Sequence, residues 1–147
     1  MKIAVSSCLL GIPCKYNGQS NKNEEILKLQ EKFELIPICP EVLGGLPIPR
    51  IPAEIIGTNV INQVGVDVTI NYNLGAQKAL QIIKDNNISI VILKSKSPSC
   101  GLGQVYDGTF THTLIEGNGI AAELFIKNNI KVYTENNFLD LFEKDFH

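Results

Sequence analysis

Ile88-Ser89-Ile90-Val91-Ile92-Leu93 is the stretch whose reading decides the fold. It is almost wholly apolar and β-branched, with no polar alternation, as expected of a strand buried on both faces. Such a strand belongs in a parallel sheet covered above and below by helices. The flanking sequence supplies them. Upstream, Leu74, Ala76, Ala79, Leu80, Ile82 and Ile83 recur at helical spacing and stop near Asn86-Asn87. Downstream, Ile120 to Asn128 reads as a helix, Ile130 to Tyr133 as a strand, and Phe138 to Phe142 as part of a closing helix.

Further towards the N-terminus, Lys2 to Ser6 reads as a short buried strand. Asn23 is placed to cap a helix whose apolar face is Ile26, Leu27, Leu29 and Phe33. Leu35 to Ile38 is a second strand, stopped by Cys39-Pro40, and Pro37 within it points to a sheet edge. Between the secondary elements lie three irregular stretches. Glu41 to Gly57 carries Gly44-Gly45, Pro47, Pro49 and Pro52, and is expected to be neither helix nor central strand. Val60-Ile61 and Val66-Asp67-Val68 suggest a small extended excursion, and Lys94 to Gly119 a long polar loop. Strands alternating with helices predict an α/β fold. The expectation is a single domain over residues 1–147, with a Rossmann-like parallel sheet of about four strands and helices on both faces.

Composition narrows the function classes. Of the 147 residues, 44% are hydrophobic and 19% charged, with a net charge of −2. That is too apolar for a disordered chain and not basic enough for a phosphate-backbone binder, so no nucleic-acid partner is expected. Met1-Lys2-Ile3-Ala4-Val5 passes straight into polar sequence, so neither a signal peptide nor a membrane partner is expected, and the expected location is cytoplasmic.

The cysteines carry the chemical signal. Cys8, Cys14, Cys39 and Cys100 form no C-x-x-C, which argues against a zinc ribbon or a thioredoxin-type dithiol. Their places relative to the strands say more. Cys8 follows the first strand by two residues, Cys39 ends the second, and Cys100 lies seven residues past Leu93. Ligands in open α/β sheets bind outside the carboxyl ends of the strands, so these three thiols should converge on one crevice. Three thiolates there suit a soft metal centre, either zinc with a fourth ligand or an iron–sulfur cluster. Cys14 is either that fourth ligand or a plain buried thiol, and the second reading is favoured for it.

The motifs resemble the thiouracil desulfidase family. They are Ser6-Ser7-Cys8-Leu9-Leu10-Gly11, Cys14-Lys15-Tyr16-Asn17-Gly18, Cys39-Pro40-Glu41, Gly44-Gly45-Leu46-Pro47 and Pro49-Arg50-Ile51-Pro52-Ala53-Glu54. Lys94 with Ser97-Pro98-Ser99-Cys100-Gly101, and Tyr106-Asp107-Gly108-Thr109-Phe110, complete the set. The resemblance implies a [4Fe-4S] cluster on Cys8, Cys39 and Cys100, loaded by iron–sulfur assembly machinery. It also implies non-redox removal of sulfur from 2-thiouracil or a related small thiolated base. Glu41 would be the acid/base, assisted by a serine of the pair Ser97 and Ser99, of which Ser97 is favoured. Lys15 and Asn17 depart from the family, where Arg and Asp are common.

Other candidates have plainer readings beside the functional one. Glu41 can instead accept backbone N–H bonds around Gly44-Gly45, and the two serines can cap the turn that presents Cys100. Arg50 is expected to pair with Glu54 and brace the proline-rich segment rather than to recognise substrate. Gly101 and Gly103 would bring free backbone N–H groups near the cluster. Gly117-x-Gly119-x-x-Ala122 imitates a dinucleotide fingerprint, but late in the chain and after an irregular loop. His112 and His147 are expected to be solvated. Two rival functions stand beside the desulfidase: a persulfide-carrying sulfurtransferase, which needs one low-pKa cysteine, and a structural metal-binding module closed by Cys14.

Overall fold

The computed structural model describes residues 1–140. In chain order its strands are β1 (Lys2–Ser6), β2 (Glu34–Ile38), β3 (Ala53–Ile56), β4 (Asn59–Asn62), β5 (Ile90–Leu93), β6 (Gln104–Tyr106), β7 (Leu114–Glu116) and β8 (Lys131–Thr134). Its α-helices are α1 (Glu24–Leu27), α2 (Pro40–Leu43), α3 (Thr69–Asp85) and α4 (Ile120–Lys127), with 3₁₀ turns at Ser7–Leu10 and Lys28–Glu31.

Four strands form the main sheet in the order β2-β1-β5-β8, all parallel. The pleat sends alternate residues to opposite faces. Ala4, Ile38, Val91 and Leu93 pack against α3 and α4. Ile3, Val5, Ile90 and Ile92 pack with Leu9, Ile26 and Leu29 from the 3₁₀ turns and α1. Both faces are therefore covered, which is why Ile90–Leu93 is buried throughout. Pro37 lies on β2 at the sheet edge, where a missing N–H costs no ladder bond. Asn23 caps α1 as its sequence position predicts, accepting the Ile26 N–H at 3.1 Å.

Three regions differ from the sequence reading. Glu41–Gly57 was expected to exclude helix, yet Pro40–Leu43 forms one turn, because proline is tolerated at the first helical position. The same stretch ends in β3, which pairs with β4 as an antiparallel hairpin apart from the main sheet. Lys94–Gly119 contains a second hairpin of β6 and β7, whose three-residue strands are too short to show a period. Helix α3 begins at Thr69 rather than near Leu74; its first turn exposes Ile70 and so shows no amphipathic pattern. The closing helix expected over Phe138–Phe142 lies partly outside the described residues, and Phe138 itself stands in a turn.

What positions the site is the crossing of α2 over α3. A β-carbon on Gly75 would stand 1.7 Å from the Pro40 carbonyl oxygen, and one on Gly44 would stand 2.0 Å from that of Asn71. Asn71 Nδ2 donates to the Gly44 carbonyl at 2.9 Å and ties the crossing. Gly119 plays a similar part at the start of α4, where a β-carbon would meet the Ser99 carbonyl oxygen at 2.4 Å. Gly119 of the fingerprint-like Gly117-x-Gly119 thus serves backbone packing. Among the described residues, no helix is long and apolar enough to cross a membrane.

Gly75→Ala should push α2 off α3 and lower the unfolding free energy by about 3 kcal/mol, the upper range for overpacking. Urea denaturation measures it; an unchanged midpoint would mean that α2 can shift without cost.

Candidate functional site

In the sheet order, β1 and β5 are neighbours, although β2, β3 and β4 lie between them in sequence. The chain turns to opposite sides of β1 at this point, so a crevice opens beyond the carboxyl ends of the strands. A cavity of about 680 Å³ occupies it. Cys8 enters from the 3₁₀ turn after β1, Cys39 caps α2 after β2, and Cys100 comes from the loop after β5. All three line the cavity, and so does Cys14. All four are free thiols.

Cys14 is a neighbour of both Cys8 and Cys39, and its single S–H proton favours a thiolate on either; this is the largest influence drawing Cys8 and Cys39 down to about 7, against the opposing effect of their burial. The same proximity pushes Cys14 itself upward. Cys100 is raised to about 12 by burial, a shift that the Ser6 hydroxyl opposes. Asn21 Nδ2 donates to Cys8 Sγ at 3.6 Å. Sequence reasoning missed Asn21, whose only signal was its place in the loop that carries Cys8.

Glu41 stands on α2, two residues after Cys39, and lines the same cavity. Arg50 Nη2 donates to its Oε2 at 2.6 Å, and the Tyr72 hydroxyl of α3 donates to its Oε1. The pair is buried, with side-chain exposures of 5% for Arg50 and 17% for Glu41. Burial works against the Arg50 charge, but the Glu41 carboxylate more than offsets it and holds the guanidinium above its ordinary value. Burial, and then the Glu41 charge, push Tyr72 upward, so the phenol keeps its proton. Arg50 also donates to the carbonyl oxygens of Cys14 at 2.9 Å and Pro47 at 3.2 Å.

These contacts correct two expectations. Arg50 pairs with Glu41 and not with Glu54, whose Oε1 accepts the N–H groups of Gly108 and Phe110 at 3.0 and 3.1 Å. Glu41 is held by side chains, not by the backbone around Gly44-Gly45. Tyr72 escaped the sequence reading because the helix was expected to start after it.

The serines divide. Ser97 Oγ accepts from the N–H groups of Ser99 and Cys100, both at 3.0 Å, and so caps the turn that presents Cys100. Ser99 is 1% exposed, and its hydroxyl has no partner among the described residues. The N–H groups of Gly101 and Gly103 are not free: they bond to the Ser97 carbonyl and to Asn118 Oδ1, each at 2.8 Å. Lys94 bridges to Glu135 at 3.0 Å and ties the loop after β5 to the end of β8. His112 is exposed at the cavity rim, edge-on to Tyr106, while His147 lies outside the described residues.

Fold and site together define an α/β protein with a thiol-lined crevice at the carboxyl edge of its parallel sheet. Residues 3–137 match the family model of 2-thiouracil desulfurase, and the chain belongs to that family. The protein YbbK of Bacillus subtilis (strain 168), itself described as uncharacterized, is 44% identical over 95% of this chain and 99% of its own length. A solved structure, that of the [4Fe-4S]-dependent thiouracil desulfidase TudS, superposes with a TM-score of 0.90. It is 39% identical, and the match covers 95% of this chain and 94% of that one.

Arg50→Leu should lower stability by about 3–5 kcal/mol, since it leaves the largely buried Glu41 carboxylate uncompensated. Tyr72→Phe should cost about 2 kcal/mol, the worth of one bond to a charged acceptor. Chemical denaturation of both variants checks the order.

Proposed function

We propose that this protein is an iron–sulfur-dependent desulfidase that hydrolyses the C–S bond of 2-thiouracil or a closely related thiolated pyrimidine, giving uracil and sulfide. One observation carries the reading. Cys8, Cys39 and Cys100 reach the same cavity from the ends of three parallel strands, beside a carboxylate held at both oxygens. The donor set suits the cofactor: soft thiolates select iron–sulfur clusters, and the Asn21 amide on Cys8 is the kind of hydrogen bond that tunes them. Among the described residues, no three His, Cys, Asp or Glu side chains are gathered tightly enough to hold one metal ion. In this reading Cys8, Cys39 and Cys100 are the ligands, and Cys14 stays a neighbouring thiol.

Bound there, the [4Fe-4S] cluster supplies a soft Lewis acid for the thiocarbonyl sulfur. The rest falls to the chain's own groups. Glu41 takes a proton from the attacking water at a carboxylate oxygen; each oxygen accepts one bond and retains a lone pair. It returns that proton to the departing sulfur and takes up the second proton of the water as the new hydroxyl becomes the carbonyl of uracil, so that sulfide leaves and no redox change occurs. Arg50 and Tyr72 position the carboxylate and do not themselves exchange protons. A hydroxyl of Ser97 or Ser99 steadies the developing charge: the Ser97 oxygen is committed to the turn but its proton is available, and the Ser99 hydroxyl is unspent. Water supplies the oxygen that replaces sulfur, so no electron donor is consumed.

As part of the same proposal, residues 1–147 form one desulfidase domain. It works in the cytoplasm, where reducing conditions keep its four thiols free and iron–sulfur assembly machinery loads the cluster.

Anaerobic purification should yield brown protein with about four irons per chain, the content of one cubane. Cys8→Ser, Cys39→Ser and Cys100→Ser should each lose the iron, while Cys14→Ser keeps it. Glu41→Gln should keep the iron and lose turnover of 2-thiouracil by about 10²–10⁴-fold. Iron analysis and uracil release decide it: colourless protein, or an active Glu41→Gln, would overturn the scheme.

A further inference from the structure

Backbone strain is concentrated at the cavity. Five non-glycine residues among those described have left-handed φ. Asn87 and Asn129 follow the ends of α3 and α4, an ordinary place for asparagine. The other three, Lys96 (67°), Phe110 (59°) and His112 (60°), all line the cavity that holds the thiols. Phenylalanine has no polar group with which to relieve that conformation, so other contacts must impose it.

Those contacts are visible. Glu54, 8% exposed on β3, accepts the N–H groups of Gly108 and Phe110 and clamps the loop from beneath. Thr109 Oγ1 donates to Asp107 Oδ1 at 2.6 Å and stands 2.6 Å from Thr111 Oγ1, which lies 2.8 Å from that of Thr113. Beside them, the rings of Tyr106 and His112 meet edge-on with centroids 5.8 Å apart. A buried carboxylate and a ladder of hydroxyls thus hold a strained turn whose central residue is apolar. Its ring is only half-buried, on the cavity wall and outside both hydrophobic clusters of the core.

We propose that Phe110 is the stacking residue of the substrate site, the face against which the flat pyrimidine ring lies, with Tyr106 and His112 flanking it. This rests on the desulfidase reading and deepens it, because a stacking wall selects planar heterocycles over small acyclic thiocarbonyl compounds. A thiolated pyrimidine carries its N–H, carbonyl and thiocarbonyl groups around its edge, so its apolar faces are left for a ring-on-ring contact that fixes its plane while its sulfur faces the thiol-lined end. Glu54 is then a positioning residue, acting through the loop it clamps.

The test uses iron-loaded protein and a readout independent of turnover, the affinity for uracil measured by calorimetry. Phe110→Gly removes the ring but is at ease at left-handed φ, and Phe110→Asn supplies a second ringless chain that tolerates the same backbone. Loss of base stacking should weaken uracil binding by about tenfold to a hundredfold in both and raise KM for 2-thiouracil in step. Phe110→Tyr, which keeps the π-face, should restore most of the affinity. Iron content and melting temperature monitor the fold. An active, uracil-binding parent whose affinity survives in either folded ringless variant overturns the stacking role alone. A parent that neither binds uracil nor consumes 2-thiouracil overturns the desulfidase reading and the stacking role with it.

Discussion

Backbone lies on backbone where α2 crosses α3, and the arrangement of the site follows from that contact. With no side chain at Gly44 or Gly75, one turn of helix sits directly against a longer one. Because α2 begins immediately after Cys39, this contact fixes a thiol and a carboxylate together. It also sets Tyr72, one turn before Gly75 on α3, against Glu41. Larger side chains at the crossing would hold the helices further apart and take the phenol out of reach of the carboxylate.

The second constraint is electrostatic. A carboxylate placed beside several thiols and withdrawn from water is costly unless its charge is answered nearby. Arg50 answers it, and also fastens the loops of Cys14 and Pro47 through their carbonyl oxygens. One guanidinium therefore links three segments around the cavity. A planar fork with several donors does this; a lysine ammonium could not present them in the same geometry. The arrangement is one of position more than of stability, since buried ion pairs contribute little net free energy to folding.

The main sheet was legible because both of its faces are buried: a run such as Ile90–Leu93 has no other comfortable place. The convergence of Cys8, Cys39 and Cys100 followed from the same reading, as each comes shortly after a strand in a sheet whose strands all point one way. What stayed hidden depends on short elements and distant partners. The hairpins have strands of three or four residues, too few for a period to emerge. Arg50 and Glu54 are four residues apart, a spacing that brings side chains together on a helix but not where a proline-rich stretch leads into a strand. Glu54 turns instead to a loop more than fifty residues away, a partnership that no local pattern could encode.

The central pairing of β1 with β5 has a consequence for how the molecule comes to be made. Ala4 lies beside Val91, so the first strand waits for most of the chain before its second neighbour exists. Pairings this distant in sequence form slowly. Until then Cys8 and Cys39 have no complete wall opposite them, and Cys100 has not yet been brought to its place. Accessible thiols are the ones oxidants reach first. Closing the crevice therefore shelters Cys8 and Cys39 just as its contacts make them easier to ionise.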